Sequence, residues 1–231
     1  MKKAILTIDD IASKNTPAMV DYLVSKNIKA VMFAVGRNVE EKYDEAVYAL
    51  KKGMLVGNHS YSHPFFSKLS LEECIAEIEK NEEILNKLYK DAGVERCVRP
   101  FRFPYGDQGG ENMEALQQYF REHGFDKLDD RAISYLWWKE RKLDENIDTY
   151  WSFDFAEYKI RPESYFTMDD VMKRIYDSNP SEGGALLNDD SVNLLLLHAH
   201  DETEEMYPEY YKKILDTLLD EGVQFMEPGF I

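Results

Sequence analysis

The chain has 231 residues, 44% of them hydrophobic, with two cysteines and a formal net charge of −16. That acidity argues against nucleic-acid or anionic-membrane partners, whose phosphates call for Lys and Arg, and no apolar run approaches the roughly 18 residues of a membrane span. The length suits one sizeable core, so residues 1–231 are expected to form a single domain, in which Cys74 and Cys97 offer no disulfide framework and read as reduced, mostly buried thiols.

The opening MKKAILTIDD starts basic, but Asp9 and Asp10 arrive before an apolar signal segment can form, so a cytoplasmic location is expected. KAILTI, KAVMFAV and MLVGN read as buried strands, each followed by a helical stretch: TPAMVDYLVSKN, then VEEKYDEAVYALKKG, then a long helix from Ser70 to Gly93. Ser70 and Glu73 have capping-box spacing, and Gly93 marks the far end. Next come CVRPFRF as strand, Glu111 to His123 as helix, YWSFDF as strand, Asp169 to Ser178 as helix and SVNLLLLHAH as strand. A helix over Tyr207 to Glu221 and a short strand at VQFM complete the chain. Residues 126–149 break this rhythm; charged and bearing Trp137 and Trp138, they are expected as an insertion at the rim.

Such alternation implies an α/β fold with a largely parallel sheet, closed into a barrel or open and doubly wound. In either case, polar residues at the carboxyl ends of strands face the active-site side. Asp9 and Asp10 end the first strand, His59 the third and Asp154 the fifth; Arg102 to Asp107 follow the fourth, and His198 ends a late strand. Several ionisable groups therefore converge on one rim.

HSYSH, residues 59–63, carries two imidazoles four positions apart, which a helical turn would put on one face within reach of a single ion. If the first strand bends at its end, one of its two carboxylates completes an aspartate and two-histidine set, while the other stays free beside a bound water. An acidic pair is also a common helix cap or turn. A mixed oxygen and nitrogen site suits Zn²⁺ first, with Co²⁺, Ni²⁺ or Fe²⁺ also compatible. Its use would be to acidify water and polarise a carbonyl, with the free carboxylate as general base. A second group must protonate the leaving amine, and periodicity leaves that role open between His198 and His200. Arg102 can hold a catalytic carboxylate ionised, and a backbone N–H of the turn in RFPYGD can donate to an oxyanion. His123 reads as a histidine favourably placed at a helix C-terminus.

Taken in order, these segments resemble the NodB-type polysaccharide deacetylases, the carbohydrate esterase family four group. TIDD is similar to its first motif, which implies Asp9 as catalytic base and Asp10 as metal ligand. HSYSH matches the second, implying His59 and His63 as the other ligands. RFPYG resembles the third, with Arg102 orienting the base and the Tyr105 backbone N–H in the oxyanion hole. LLLLH resembles the fifth and selects His198 as general acid. In the fourth, DFAEY keeps Asp154, counted among the catalytic residues, and has Glu157 and Tyr158 in place of the family's Asp-Trp pair. The first motif departs too, since Ile11 and Ala12 replace its usual Gly-Pro continuation.

The resemblance implies a distorted (β/α) barrel of seven or eight strands, a divalent metal, and hydrolysis of N-acetyl or O-acetyl groups on a carbohydrate by water attack on the acetyl carbonyl. One alternative is a related amidase acting on a small cyclic amide or imide. Another is a non-catalytic carbohydrate-binding protein, with Trp137, Trp138, Tyr207, Tyr210 and Tyr211 stacking on sugars.

Overall fold

The computed structural model describes residues 2–188 and 190–231. Its strands are β1 (Lys3–Ile11), β2 (Ala30–Ala34), β3 (Leu55–Asn58), β4 (Phe153–Asp154), β5 (Val192–His198) and β6 (Gln224–Phe225). The helices are α1 (Thr16–Ser25), α2 (Gly36–Glu41), α3 (Tyr43–Lys51), α4 (Leu71–Ala92), α5 (Met113–Glu122), α6 (Leu136–Glu140), α7 (Met168–Tyr176), α8 (Asp201–Met206) and α9 (Tyr210–Asp220). The strands form one sheet in the order β3-β2-β1-β5-β4, with β6 paired to the start of β1, and every pairing is parallel. Parallel strands need helical crossovers, which explains the alternation read from the sequence.

Both faces of the sheet are covered, which is why its central strands are nearly continuous apolar runs. Leu6, Ile8, Met32, Leu195 and Leu197 point into the larger core, closed by α1, α3, α4, α7 and α9. Their neighbours Ile5, Val31, Phe33 and Leu194 point the other way, onto Leu128, Ile133, Trp138 and Leu143. Residues 126–149 are therefore not a rim insertion: they cover the second face, and Trp138 is 1% exposed with its Nε1–H donating to Asp130 at 3.0 Å. A third cluster of Phe66, Cys74, Ile78, Phe101, Phe103, Leu116 and Phe120 joins α4 to α5.

The described residues hold six strands, fewer than the seven or eight expected. CVRPFRF contributes only a bridge between Phe101 and Asn58. Pro100 has no N–H for a ladder, and the chain soon turns through Pro104–Gly106. VEEKYDEAVYALKKG forms two helices, because Lys42 leaves helical geometry between α2 and α3. Helix α4 starts and stops as read: Ser70 and Glu73 form the capping box, and Gly93 is left-handed. Cys74 is buried, but Cys97 is exposed, and both are free. His123 follows α5, its Nδ1 on the Tyr119 carbonyl at 2.8 Å. Among the described residues, no helix is long and apolar enough to cross a membrane.

Candidate active site

A parallel sheet brings the carboxyl ends of its strands to one edge, and a cavity of 630 Å³ opens there. Asp9, Asp10, His59, His63, Tyr105, Asp154, Tyr158, His198 and His200 line it. Two adjacent residues of a strand ordinarily face opposite ways. Here the register of β1 shifts between Ile8 and Ile11, and Asp10 adopts a left-handed φ of 67°, which lets both carboxylates serve one centre.

His59 and His63 meet without a helical turn. They lie in the loop after β3, where Ser60 and His63 have φ of 62° and 60°, and their rings approach to 4.9 Å. Buried side chains shape this loop. Asn58 Oδ1 accepts from the Ser60 N–H at 2.8 Å and from Asn81 at 2.9 Å, while Asn58 donates to Glu82 at 2.9 Å. Glu82 is in turn paired with Arg96 and Arg99 at 2.8 and 3.0 Å. Further along, Ser62 donates from its backbone and hydroxyl to Glu77 at 2.7 and 2.8 Å. Helix α4 thus fixes the loop that carries both imidazoles.

Asp10, His59 and His63 each bring a ligand atom within 4.8 Å of the others. Asp10 Oδ1 stands 3.2 Å from His63 Nε2 and 3.7 Å from His59 Nε2. His59 donates Nδ1–H to the Arg102 carbonyl at 2.8 Å, which leaves its Nε2 lone pair for an ion. Burial, with His59 close by, lowers the His63 pKa to about 4, which leaves this ring's lone pair free near neutral pH. Burial alone would raise the Asp10 pKa, but the His200 hydrogen bond, with the histidines around it, outweighs this and holds the carboxyl well below its usual range. One carboxylate with two imidazoles fits a borderline divalent ion and leaves coordination positions open.

Asp9 is 3% exposed beside this triad, with Oδ2 3.4 Å from His59 Nε2. Its Oδ1 is held by Arg102 Nη1 at 2.8 Å. The buried guanidinium is fixed by Thr7 Oγ1 at 2.7 Å, the Thr149 carbonyl at 3.0 Å and the Tyr150 carbonyl at 3.1 Å. Tyr105, with φ of 59°, follows Pro104 at the tip of the third motif, its exposed ring stacked on Phe65 at 4.0 Å.

On the opposite side, His198 is paired in register with Asp9 across β1 and β5. Glu157, fully buried, accepts through Oε1 from the His198 backbone N–H at 2.6 Å and its ring Nδ1 at 3.0 Å. Burial alone would disfavour the imidazolium, but the charge and hydrogen bond of Glu157 outweigh this and raise the His198 pKa to about 10. Asp154, whose Oδ1 accepts from the Ala156 N–H at 2.7 Å, lies within 4.8 Å of the Glu157 and His198 ligand atoms. Burial, together with the Glu157 charge, pushes the Asp154 carboxyl upward. Tyr158 sets its ring 4.7 Å from that of His198.

All eight residues expected in the site line this cavity or, like Arg102, bond directly to a residue that does. Sequence reasoning missed the hydrogen bond of His200 to Asp10 and the loop-shaping trio Asn58, Asn81 and Glu82. Of the five aromatics named for the sugar-binding alternative, Trp138, Tyr210 and Tyr211 are at most 1% exposed and cannot stack on a sugar. Trp151 and Tyr158 line the cavity instead.

A sequence model described as polysaccharide deacetylase matches residues 1–126. A peptidoglycan-N-acetylglucosamine deacetylase of Bacillus cereus is 38% identical over 104 residues, covering 44% of this chain and 36% of its own length. Chitin deacetylase 1 of Cryptococcus neoformans is 36% identical over 103 residues, covering 44% of this chain and 21% of its own length. The chain thus spans much less than two thirds of these relatives. A solved polysaccharide deacetylase from Bacillus cereus superposes with a TM-score of 0.66 at 21% identity, over 97% of this chain and 91% of that one. That likeness shows a shared fold.

Proposed function

The chain belongs to the polysaccharide deacetylase family, whose model matches more than half of its length, and from that premise we propose that it is a metal-dependent hydrolase removing N-acetyl groups from an acetylated carbohydrate. The observation that carries this reading is the Asp10, His59 and His63 triad, beside which Asp9 is held by Arg102. Asp10, His59 and His63 would hold the ion, with Zn²⁺ first and Co²⁺, Ni²⁺ or Fe²⁺ as other candidates. When bound, such an ion supplies Lewis acidity towards the acetyl carbonyl and lowers the pKa of water towards about 7.

The chain's own residues supply the proton transfers. Asp9 has one oxygen committed to Arg102 and the other turned to the triad, so Oδ2 takes the proton of the attacking water. His198 holds its proton up to about pH 10 and passes it to the departing nitrogen. Glu157 occupies Nδ1 of that ring, leaving Nε2 to deliver the proton. Each such general acid or base is worth roughly 10²–10⁴ in rate. The Tyr105 backbone N–H serves as an oxyanion donor, worth about 10²–10³. Asp154 adds to the negative field around His198.

Glu157 and Tyr158 then do the work of the family's Asp-Trp pair: one longer carboxylate still reaches the histidine, and one aromatic still packs against it. Trp151, Tyr158 and Tyr105 give the cavity apolar faces suited to a pyranose ring. The names of the relatives support N-acetylglucosamine units as substrate. Acetate release from N-acetylglucosamine oligomers, lost on chelation and restored by Zn²⁺ or Co²⁺, is the test. Ring opening of a cyclic amide without acetate release from any sugar would overturn the substrate assignment.

A further inference from the structure

His200 makes the tightest contact to the candidate metal ligands: its Nε2 lies 2.6 Å from Asp10 Oδ2. A carboxylate that serves as a metal ligand can only accept, so His200 is the donor. The contact is built into the ladder. His198 pairs with Asp9 in register, and the Ala199 N–H continues the ladder by donating to the Asp9 carbonyl at 3.0 Å. Two residues beyond His198, on the same side of the chain, His200 comes alongside Asp10.

The segments carrying the two residues are also tied together. Asp201 accepts from the backbone N–H groups of Lys14 and Asn15, both at 3.3 Å, and Asn15 donates to Glu204 at 3.2 Å. On its main chain, the Asp10 carbonyl accepts from Asn38 Nδ2 at 3.0 Å. Asp10 is thus gripped at its carbonyl and at Oδ2, and the oxygen left uncommitted is Oδ1, the one nearest His59 and His63.

We propose that His200 is a positioning residue for the metal centre, holding Asp10 as a one-oxygen ligand with Oδ1 turned to the histidine pair. This rests on the reading of Asp10, His59 and His63 as ligands. A carboxylate free to rotate would lose orientational freedom on binding, or engage the ion through both oxygens and crowd the positions that water and substrate need. Hydrogen-bond partners of metal ligands are typically worth about 10–100-fold in affinity.

The experiment uses the full chain stripped of metal, titrated with Zn²⁺ against a chromophoric chelator, for wild type, His200→Gln and His200→Phe. Gln keeps a donor near the position of Nε2, whereas Phe keeps the bulk and loses the donor. The expected result is affinity about 10–100-fold weaker for His200→Phe and within about threefold of wild type for His200→Gln. Thermal melts of the stripped proteins show whether each variant is folded before titration, and His200→Ala replaces Phe if the ring does not fit. X-ray absorption of the zinc-loaded wild type is expected to count two imidazole ligands. Equal affinity in all folded variants, or three imidazoles on the ion, would overturn the proposal while leaving the hydrolase reading intact. Wild type that holds no divalent ion would overturn both.

Discussion

Glu157 Oε1 accepts two hydrogen bonds from His198, one from its backbone N–H at 2.6 Å and one from its ring Nδ1 at 3.0 Å. The carboxylate thereby fixes where the strand ends, which tautomer the ring adopts and how firmly it keeps its proton. The His198 pKa rises from an ordinary 6.5 to about 10, so the group favours folding fully below pH 6.5. That contribution declines between pH 6.5 and 10 and is gone above pH 10. In Glu157→Gln, the alkaline limb of the kcat profile is expected to move towards neutrality, with kcat down by roughly 10²–10⁴ at pH 9. The difference in melting temperature between wild type and variant should be greatest below pH 6.5 and vanish towards pH 10. An unmoved limb would show that His198 is not the titrating acid.

The proposed mechanism gives the neighbours Asp9 and Asp10 separate tasks, and two substitutions separate them. Asp10→Ala removes one of three ligands and should lose the ion on gel filtration, with activity recovered only at high added Zn²⁺. Asp9→Asn should keep stoichiometric metal by elemental analysis while turnover falls about 10²–10⁴-fold. If Asp9→Asn also lost its ion, the division of labour between the two would be wrong.

Arg102 and Asp9 form an ion pair whose side chains are 1% and 4% exposed. Removing one partner of such a pair strands the other without water, which costs about 3–5 kcal/mol. Arg102→Met is therefore expected to lower unfolding free energy by that amount in urea titrations at pH 7. Activity should fall as well, since Asp9 loses the partner that orients it. A double variant, Arg102→Met with Asp9→Asn, should recover part of the stability and none of the turnover.

Much of this site was legible because a parallel fold collects strand ends on one edge, so that polar residues closing apolar runs announce themselves. Asp9, His59, Asp154 and His198 were found that way. Periodicity reports which side chains are buried, not which partner each will meet. That is why the grip of His200 on Asp10 went unread, although its two-residue offset from His198 on one strand face was the available signal. Asn81 and Glu82 are polar residues within the long helix, where periodicity gives them no special role, yet they are buried and hold the HSYSH loop. The histidine pair was expected on a helical turn because four-residue spacing is ambiguous; left-handed backbone at Ser60 and His63 does the same job in a loop. Charged residues in the 126–149 segment disguised its apolar side, where Ile133, Trp138 and Leu143 recur at intervals of five residues that fit neither a strand nor a regular helix.

The placement of the tryptophans leads to a contrast between stability and substrate binding. Trp138 is buried against the sheet with Ile133 and Leu143, far from any role in gripping a sugar. Trp138→Ala should therefore cost about 3–5 kcal/mol in unfolding free energy, the usual range for truncating a buried aromatic. Below its melting temperature, the KM for acetylated oligomers should stay within about twofold of wild type, since a core truncation removes no contact with the substrate. Tyr158 is half-buried and lines the cavity, so Tyr158→Ala should do the reverse. It should leave the melting temperature nearly unchanged and raise KM by about 10-fold, the value of one lost stacking contact of roughly 1.4 kcal/mol. Because Tyr158 also packs on His198, kcat can fall too, and Tyr158→Phe, which keeps the ring, separates the effects by restoring both. A large KM change in Trp138→Ala, with none in Tyr158→Ala, would return the sugar-binding surface to the 126–149 segment.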